Sequence, residues 1–477
     1  MDKLNEDFER QENENCFLKD KQQIKYNSFI LLEIIPLEKQ NQFFVGLDNL
    51  YSDVKDYSSK RLEYRKIYSN CHSRLFQSYS LNLPPIVNLN YKKEYIYPTA
   101  AYHDLGDNIK EIEVSISNPI PSIIILQLNV HLKEEASQKI NEIIYIYHSE
   151  KEETITLNNG VFSKLALPSN QKQFEISNFK NSLHKEAIGF LKKYFSGIFF
   201  SLAEDVSSIV PTIDVISFDY PSDEKEIITW GRENVGFVRC FNTYFSSYTC
   251  YRYENYLLLI ESNYLDDNSY DNYIVFANRK ESSDEHYCDI DSAIVSKINR
   301  CDFNLIAIDR FVKEQENHVG KLNSLITQEL ENLQNENLNK VIDSHKEVVK
   351  TTFSFERFNI EFTEHWFSHK NFKFKNLIFF EDVDKPTELF HYIKDSIDFR
   401  IKKISILNSL FSQEYEKILN LKNLEFNKKM QNLVLCLTIV VIILAIIQIL
   451  LILKIDFLSI IMTSWNTLIE FFKPFPI

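Results

Sequence analysis

The chain has 477 residues, 44% hydrophobic and 25% charged, which fits an ordinary folded protein and excludes disorder, a collagen repeat and a disulfide mini-scaffold. Acidic side chains outnumber basic ones by 67 to 53, a net charge of −14, and this argues against general nucleic-acid binding, which rests on Lys and Arg neutralising phosphates. The mean hydropathy of −0.25 suggests a soluble protein, but it averages a charged body with one intensely apolar end.

The first residues, MDKLNEDFERQENENCF, contain no apolar h-region, so no cleaved signal peptide is expected. The seven cysteines form no CxxC pair, and their odd number reads as reduced thiols in a cytosolic chain.

Residues 1–305 alternate strand-like and helix-like runs. YNSFILLEIIPLE, PSIIILQLNVHLK, EIIYIYH, KQFEISNF, PTIDVISFDYP, NYLLLIES and NYIVFANRK are the strand candidates. LNNG at Leu157–Gly160 is a hairpin signal, since Asn-Gly tolerates the positive φ of a type I′ turn. Asn181 to Glu204 reads as an amphipathic helix. The aromatic density between Phe237 and Tyr287 fits either stacked bases or cross-strand pairs, and the sheet explanation is preferred.

From about Asp309 to His369 the pattern is helical and highly charged, and residues 369–385 permit a reversal. Pro386 then opens a stretch free of proline and glycine. Leu389, Ile393, Ile397, Ile401, Ile404, Leu407, Phe411, Tyr415 and Ile418 recur along one helical face. A single helix from Pro386 to Lys454 would be roughly 100 Å long. Leu433 to Leu453 carries no charge and suffices for a bilayer core of roughly 30 Å. Phe457 to Phe472 is shorter, holds Asn466 and Glu470, and reads as a short return span or an interfacial helix. Lys417, Lys422, Lys428 and Lys429 precede the span and only Lys454 and Lys473 follow it, which places the large N-terminal part in the cytoplasm at an inner or plasma membrane.

The expected fold is therefore an α/β cytoplasmic domain (1–305), a long charged helix and reversal (306–385), a stalk helix (386–432), a transmembrane helix (433–453) and a second span or interfacial helix (454–477). The helix of 306–385 and the stalk are expected to lie antiparallel.

Phosphate-cradling loops need glycine, and the eight glycines permit neither GxGxxG nor GxxxxGK[ST]; GxSxG is missing too. No enzyme is expected. His365 and His369 stand four apart on one helical face, yet Trp366 occupies the place where a metalloprotease has its Glu, and a solvated face is preferred over a metal site with Glu361 and Glu364. Asp266, Asp267, Asp271, Asp289 and Asp291 are weak candidates for a divalent cation such as magnesium, and hydrated loop carboxylates are the plainer reading. No other cofactor is expected. In the apolar span a heptad puts Gln431, Thr438 and Ala445 at one seam position, and Val434, Val441 and Gln448 at the other. Polar side chains in a bilayer face protein or water, so this seam is either glue in a closed bundle or the lining of a pore. Both readings call for further copies of the chain.

This plan, most specifically Pro386–Ile477, resembles the CorA-like divalent-cation channels. The resemblance implies a pentamer with Gln431, Thr438, Ala445 and Gln448 towards the pore. The family's Gly-Met-Asn signature is absent: no glycine follows Gly320, and Met462 precedes Thr463. Divergent members lacking that signature serve as membrane effectors in prokaryotic antiviral defence of CRISPR type, gated by a small nucleotide-derived ligand, and the enlarged N-terminal part suits that role. The expectation is an oligomeric channel gated through the stalk by a cytoplasmic sensing domain. The alternative is a membrane-anchored coiled-coil interaction protein without a pore.

Overall fold

The structure, a computed structural model, describes residues 2–54, 79–91, 100–149, 151–157, 160–203, 209–241, 250–261, 272–280, 303–331, 355–364, 375–376, 388–452 and 462–467. It divides into two compact units, Met1–Ser405 and Ile406–Ile477.

The strands of the first unit are β1 (Lys25–Pro36), β2 (Tyr79–Asn82), β3 (Ile86–Asn88), β4 (Ala101–His103), β5 (Ile109–Ile120), β6 (Ile123–Leu132), β7 (Lys151–Leu157), β8 (Gly160–Ala166), β9 (Thr212–Phe218), β10 (Cys250–Tyr253), β11 (Tyr256–Glu261), β12 (Asn272–Asn278) and β13 (Lys375–Asn376). The helices are α1 (Asp2–Asn15), α2 (Gln40–Leu50), α3 (Glu134–Tyr145), α4 (Pro168–Leu191), α5 (Phe199–Leu202), α6 (Glu224–Glu233), α7 (Val235–Arg239), α8 (Asn304–Glu331) and α9 (Leu389–Ile452); α9 continues into the second unit.

Among the described residues one 11-stranded sheet runs β13-β10-β11-β12-β9-β1-β6-β5-β3-β4, with β2 also on β5. It is mixed: β12 pairs with β9, and β3 with β4, in parallel, and the other ladders are antiparallel. The apolar run FILLEIIP makes β1 a strand buried on both faces, as a central position requires, and β9 is buried along its whole length. β5 instead alternates buried and partly exposed residues over Ile109–Ser117, so its outer face meets solvent. β7 and β8 form a separate hairpin, as LNNG led one to expect, but Gly160 pairs with Leu157 as the first residue of β8 and is not itself the turn residue that an Asn-Gly turn would make it.

Two strand candidates are corrected. KQFEISNF lies inside α4, and Glu142–Tyr145 of EIIYIYH closes α3. In α4 the buried Gln171, Ile176, Phe179, Leu183, Ala187 and Leu191 follow the helical period over 24 residues, which the short alternating window concealed. The helix expected from Asn181 begins earlier, at Pro168, and stops at Leu191 before the short α5. Pro168 suits the first turn because its missing N–H is one the helix leaves unpaired anyway. Lys172, on α4, is fully buried and donates to the carbonyls of Ile144 (2.7 Å) and Ile146, a cation placed at the C-terminus of α3.

Of the aromatics between Phe237 and Tyr287, Tyr251, Tyr256 and Tyr273 are buried in the sheet. Tyr253, at the end of β10, is only partly buried.

The charged stretch expected as helix contains α8 and a helical segment at 355–364. α8 rests on β1, and α9 buries Leu389, Ile393, Ile397, Ile401 and Ile404. The first turns of α9 are also held to α8 by charge. Arg400 Nη1 meets Glu316 Oε2 at 2.7 Å, Lys403 pairs with the same carboxylate, and Ser396 Oγ donates to Asp309 Oδ1 at 2.9 Å. Burial pushes the Glu316 carboxyl up, but hydrogen bonds from Lys403 and Arg400 outweigh it and leave the group below its ordinary value.

In the second unit Phe426–Leu451 is a helix long and apolar enough to cross a membrane, with none of its most apolar stretch buried inside the chain. Residues 462–467 are helical; the rest of the expected second span, Pro386, His365, His369, Asp266, Asp267, Asp271, Asp289 and Asp291 lie outside the described residues.

Candidate functional site

Two acids interrupt apolar strands near the middle of the sheet, Glu33 in β1 and Asp214 in β9, and both are fully buried. Each is satisfied differently. Asp214 meets Lys180 Nζ and His184 Nε2, both at 2.9 Å, and accepts the Tyr26 hydroxyl. Lys180 and His184 stand four apart on α4, so one helical face delivers both to the sheet. Burial alone would raise the Asp214 carboxyl; the charges of Lys180 and His184, with hydrogen bonds from His184 and Tyr26, hold it well below the usual carboxylate range. This cluster fastens α4 to the sheet.

Glu33 has no cation in contact. Its Oε1 accepts the backbone N–H groups of Phe199 and Ile34, each at 2.8 Å, and Oε2 accepts that of Phe200. Burial pushes the carboxyl up to about 7, against the pull of the three N–H bonds and of Lys39. Gly197 packs on the same carboxyl.

The segment held by Glu33 walls a cavity of about 520 Å³, within the usual size of small-molecule sites of about 300–1,000 Å³. Ile198 and Leu202 form that wall, and the Pro36–Lys39 turn and the β5–β6 turn (Ser122, Ile123) form another. α8 contributes Phe311, Glu314, Gln315, His318 and Lys321, which share one face at a step of three or four, and the segment at 355–364 adds Phe355, Arg357 and Phe358. Phe311 and Phe358 meet edge to face at 5.2 Å between ring centres. Glu361 fixes this side: it accepts Arg357 Nε at 2.8 Å and the Ser122 N–H at 2.6 Å. Glu361, weighed above as a metal ligand, is thus a brace between a helix and a strand turn.

Two polar atoms of the lining are shielded and without a hydrogen-bond partner, Ser122 Oγ and Glu314 Oε1. Burial raises the Glu314 carboxyl, and Lys321 opposes the shift. No group of three or more His, Cys, Asp or Glu able to hold a metal ion occurs among the described residues.

The pattern of residues pointed to none of the cavity. Glu33 and Asp214 carried a signal, a lone acid in an apolar strand, but Ser122 and Glu314 looked like ordinary loop and helix-surface residues.

The residues expected to line a pore stand on α9. Gln431, Thr438, Ala445 and Gln448 are all exposed, and at 100° per residue they fall within an arc of about 100°. Thr438 Oγ1 donates back to the Val434 carbonyl at 2.8 Å, so its hydroxyl proton is satisfied within the helix. Cys16, Cys240, Cys250 and Cys436 are free thiols. Comparison with family models, with curated proteins and with solved structures gave no match.

Proposed function

We propose that the chain is an oligomeric membrane channel, or channel-like effector of CorA-like type, whose large N-terminal unit senses a ligand in the cytoplasm and gates the pore through a stalk formed by α9. The observation that carries this reading is the seam of Gln431, Thr438, Ala445 and Gln448 on an apolar helix that the chain itself leaves uncovered. Polar groups at membrane depth turn towards protein or water, and among the described residues no side chain of the same copy covers this face. A pentamer is the assembly that the CorA-like plan implies, and an antiviral role follows the same analogy.

Support for gating comes from α8. It presents Phe311, Glu314 and His318 to the cavity, and Asp309 and Glu316 to the first turns of α9. A shift of α8 between two packed positions would therefore reach α9.

The test is flux from dye- or ion-loaded liposomes containing the purified full chain. Conduction that changes in Thr438→Val and Gln448→Leu supports the pore. A folded oligomer that stays impermeant under all ligand and ion conditions overturns it. The second reading, a membrane tether without a pore, is favoured by the single crossing-length helix among the described residues. Oligomeric state in detergent separates the two: five copies favour the channel, and a stable dimer favours the tether.

A further inference from the structure

Cys16 directly follows α1 and Cys240 directly follows α7, far apart in the chain, and the fold seats the two side by side. Their thiols share a hydrogen bond, and each also faces a carbonyl one turn back, Glu12 at 3.5 Å and Gly236 at 3.4 Å. The backbones meet at the same place: a Cβ on Gly236 would stand 2.1 Å from the Asn15 carbonyl oxygen. Beside the sulfurs lies the buried Lys172, which donates to the carbonyls of Ile144 and Ile146 and stands 4.9 Å from the centre of the Phe17 ring. The hydrogen bond from Cys240 and the charge of Lys172 hold the Cys16 thiol below its ordinary value, against the effect of burial. The same hydrogen bond and burial push Cys240 up. The docked pair therefore favours one thiolate, the nucleophilic form of sulfur, in contact with one thiol. Both sulfurs are shielded, Cys16 being 1% and Cys240 2% exposed, but the cover is thin. Of residues 6–15 of α1 only Asn13 is buried. A terminal helix held by so few side chains lifts locally at low cost, and lifting admits a small solute to both thiols. Cys250 is as deeply buried inside the sheet, where burial alone acts on its thiol.

We propose that Cys16 and Cys240 are a redox-sensitive dithiol, which hydrogen peroxide oxidises to a disulfide that pins α1 to α7. With α1 lifted, peroxide converts one thiol to a sulfenic acid: an S–O bond forms, the O–O bond breaks and water leaves. When α1 docks again, the other sulfur attacks the sulfenic sulfur; the S–S bond forms, the S–O bond breaks, and hydroxide departs with the second thiol's proton as water. The two thiols lose two electrons and one peroxide becomes two waters. In a reducing compartment the pair rests as thiols, so the bond is a response to oxidant and not a permanent staple. The inference lies outside the channel reading and holds whether or not the chain conducts ions.

The test treats the folded full chain in detergent with hydrogen peroxide, at a dose that oxidises the thiols of the urea-unfolded chain. Remaining thiols are alkylated in denaturant and the peptides mapped by mass spectrometry without reduction. The expected product is a Cys16–Cys240 disulfide that dithiothreitol reverses, with Cys250 still a free thiol. Amide exchange over residues 2–15 should slow by about tenfold on oxidation, because the pinned helix no longer lifts, and should not slow in Cys240→Ser. The mapping needs only the unaltered chain, so it decides the matter even if Cys240→Ser fails to fold. Three results overturn the proposal: Cys16 and Cys240 both remaining free thiols, either of them pairing with a different cysteine, or Cys250 being oxidised as fast as they are. Absence of the disulfide with intact ion flux would refute this site and leave the channel reading standing; the disulfide without flux would do the reverse.

Discussion

Gly197 lies directly against the carboxyl of Glu33: a Cβ at that position would stand 2.2 Å from the Glu33 Cδ and 2.4 Å from Oε1. The glycine is there because the backbone from Gly197 to Phe200 must approach a buried carboxylate closely enough for its N–H groups to be accepted. Gly197→Ala should therefore overpack the site and cost about 1–3 kcal/mol in urea unfolding. Gly189 in α4 is the control. Nothing lies within 4 Å of the corresponding position, so Gly189→Ala should gain about 0.5–1 kcal/mol from helix propensity.

Glu33 should make the sheet lose stability as pH rises towards neutrality. Its folded value, about 7, lies above the ordinary carboxylate value of about 4.3, so the folded form binds the proton more tightly than the unfolded chain does. That contribution is fully present below about pH 4 and is lost as pH rises through about 7. Urea midpoints measured from pH 4 to 8 should fall across this window. In Glu33→Gln the slope should vanish, and the Phe200 N–H, left facing an amide donor, should lower stability by about 1–3 kcal/mol throughout.

Asp214 acts in the opposite direction. Its carboxyl is depressed in the fold, so its contribution is present above the unfolded value of about 3.9 and is lost as pH falls through the folded one. Asp214→Asn should remove this acid limb of the pH profile. It leaves Lys180 and His184 buried without their anion, and the expected loss is about 3–5 kcal/mol. The pair Asp214→Asn with Lys180→Met should lose less than Asp214→Asn alone, because the unpaired charge goes with its partner.

At the start of α9, Glu316 receives both Arg400 and Lys403. Glu316→Ala should release this anchorage while leaving the buried Ile393, Ile397 and Ile401 stripe in place. Amide exchange over Leu389–Ser405 should quicken by about tenfold, corresponding to about 1.4 kcal/mol of local opening, and exchange in β1 should be unchanged.

Much of this architecture is legible in the residue pattern, for local reasons. The apolar runs of β1, β6, β9, β11 and β12, the LNNG hairpin and the apolar periodicity of α9 each encode their conformation within a dozen residues. α4 reads locally as a strand because QFEIS alternates for five residues inside a helix of 24. The cavity was not legible at all. It is assembled from turns near residues 37, 122 and 198 and helix faces near 314 and 358, and no local period records that these meet. The burial of Glu314 Oε1 is likewise a product of tertiary packing, on a helix whose sequence advertises only charge.

α8 is one rigid body with two clients: about 175° separates the face that closes the cavity from the face that grips Arg400 and Ser396. Such an arrangement works in both directions by thermodynamic necessity. If an occupant of the cavity biases the position of the first turns of α9, then tension applied to those turns must alter, by the same free energy, how tightly the occupant is held. A chain built this way would report mechanical load on its long apolar helix as a change in affinity in its N-terminal unit.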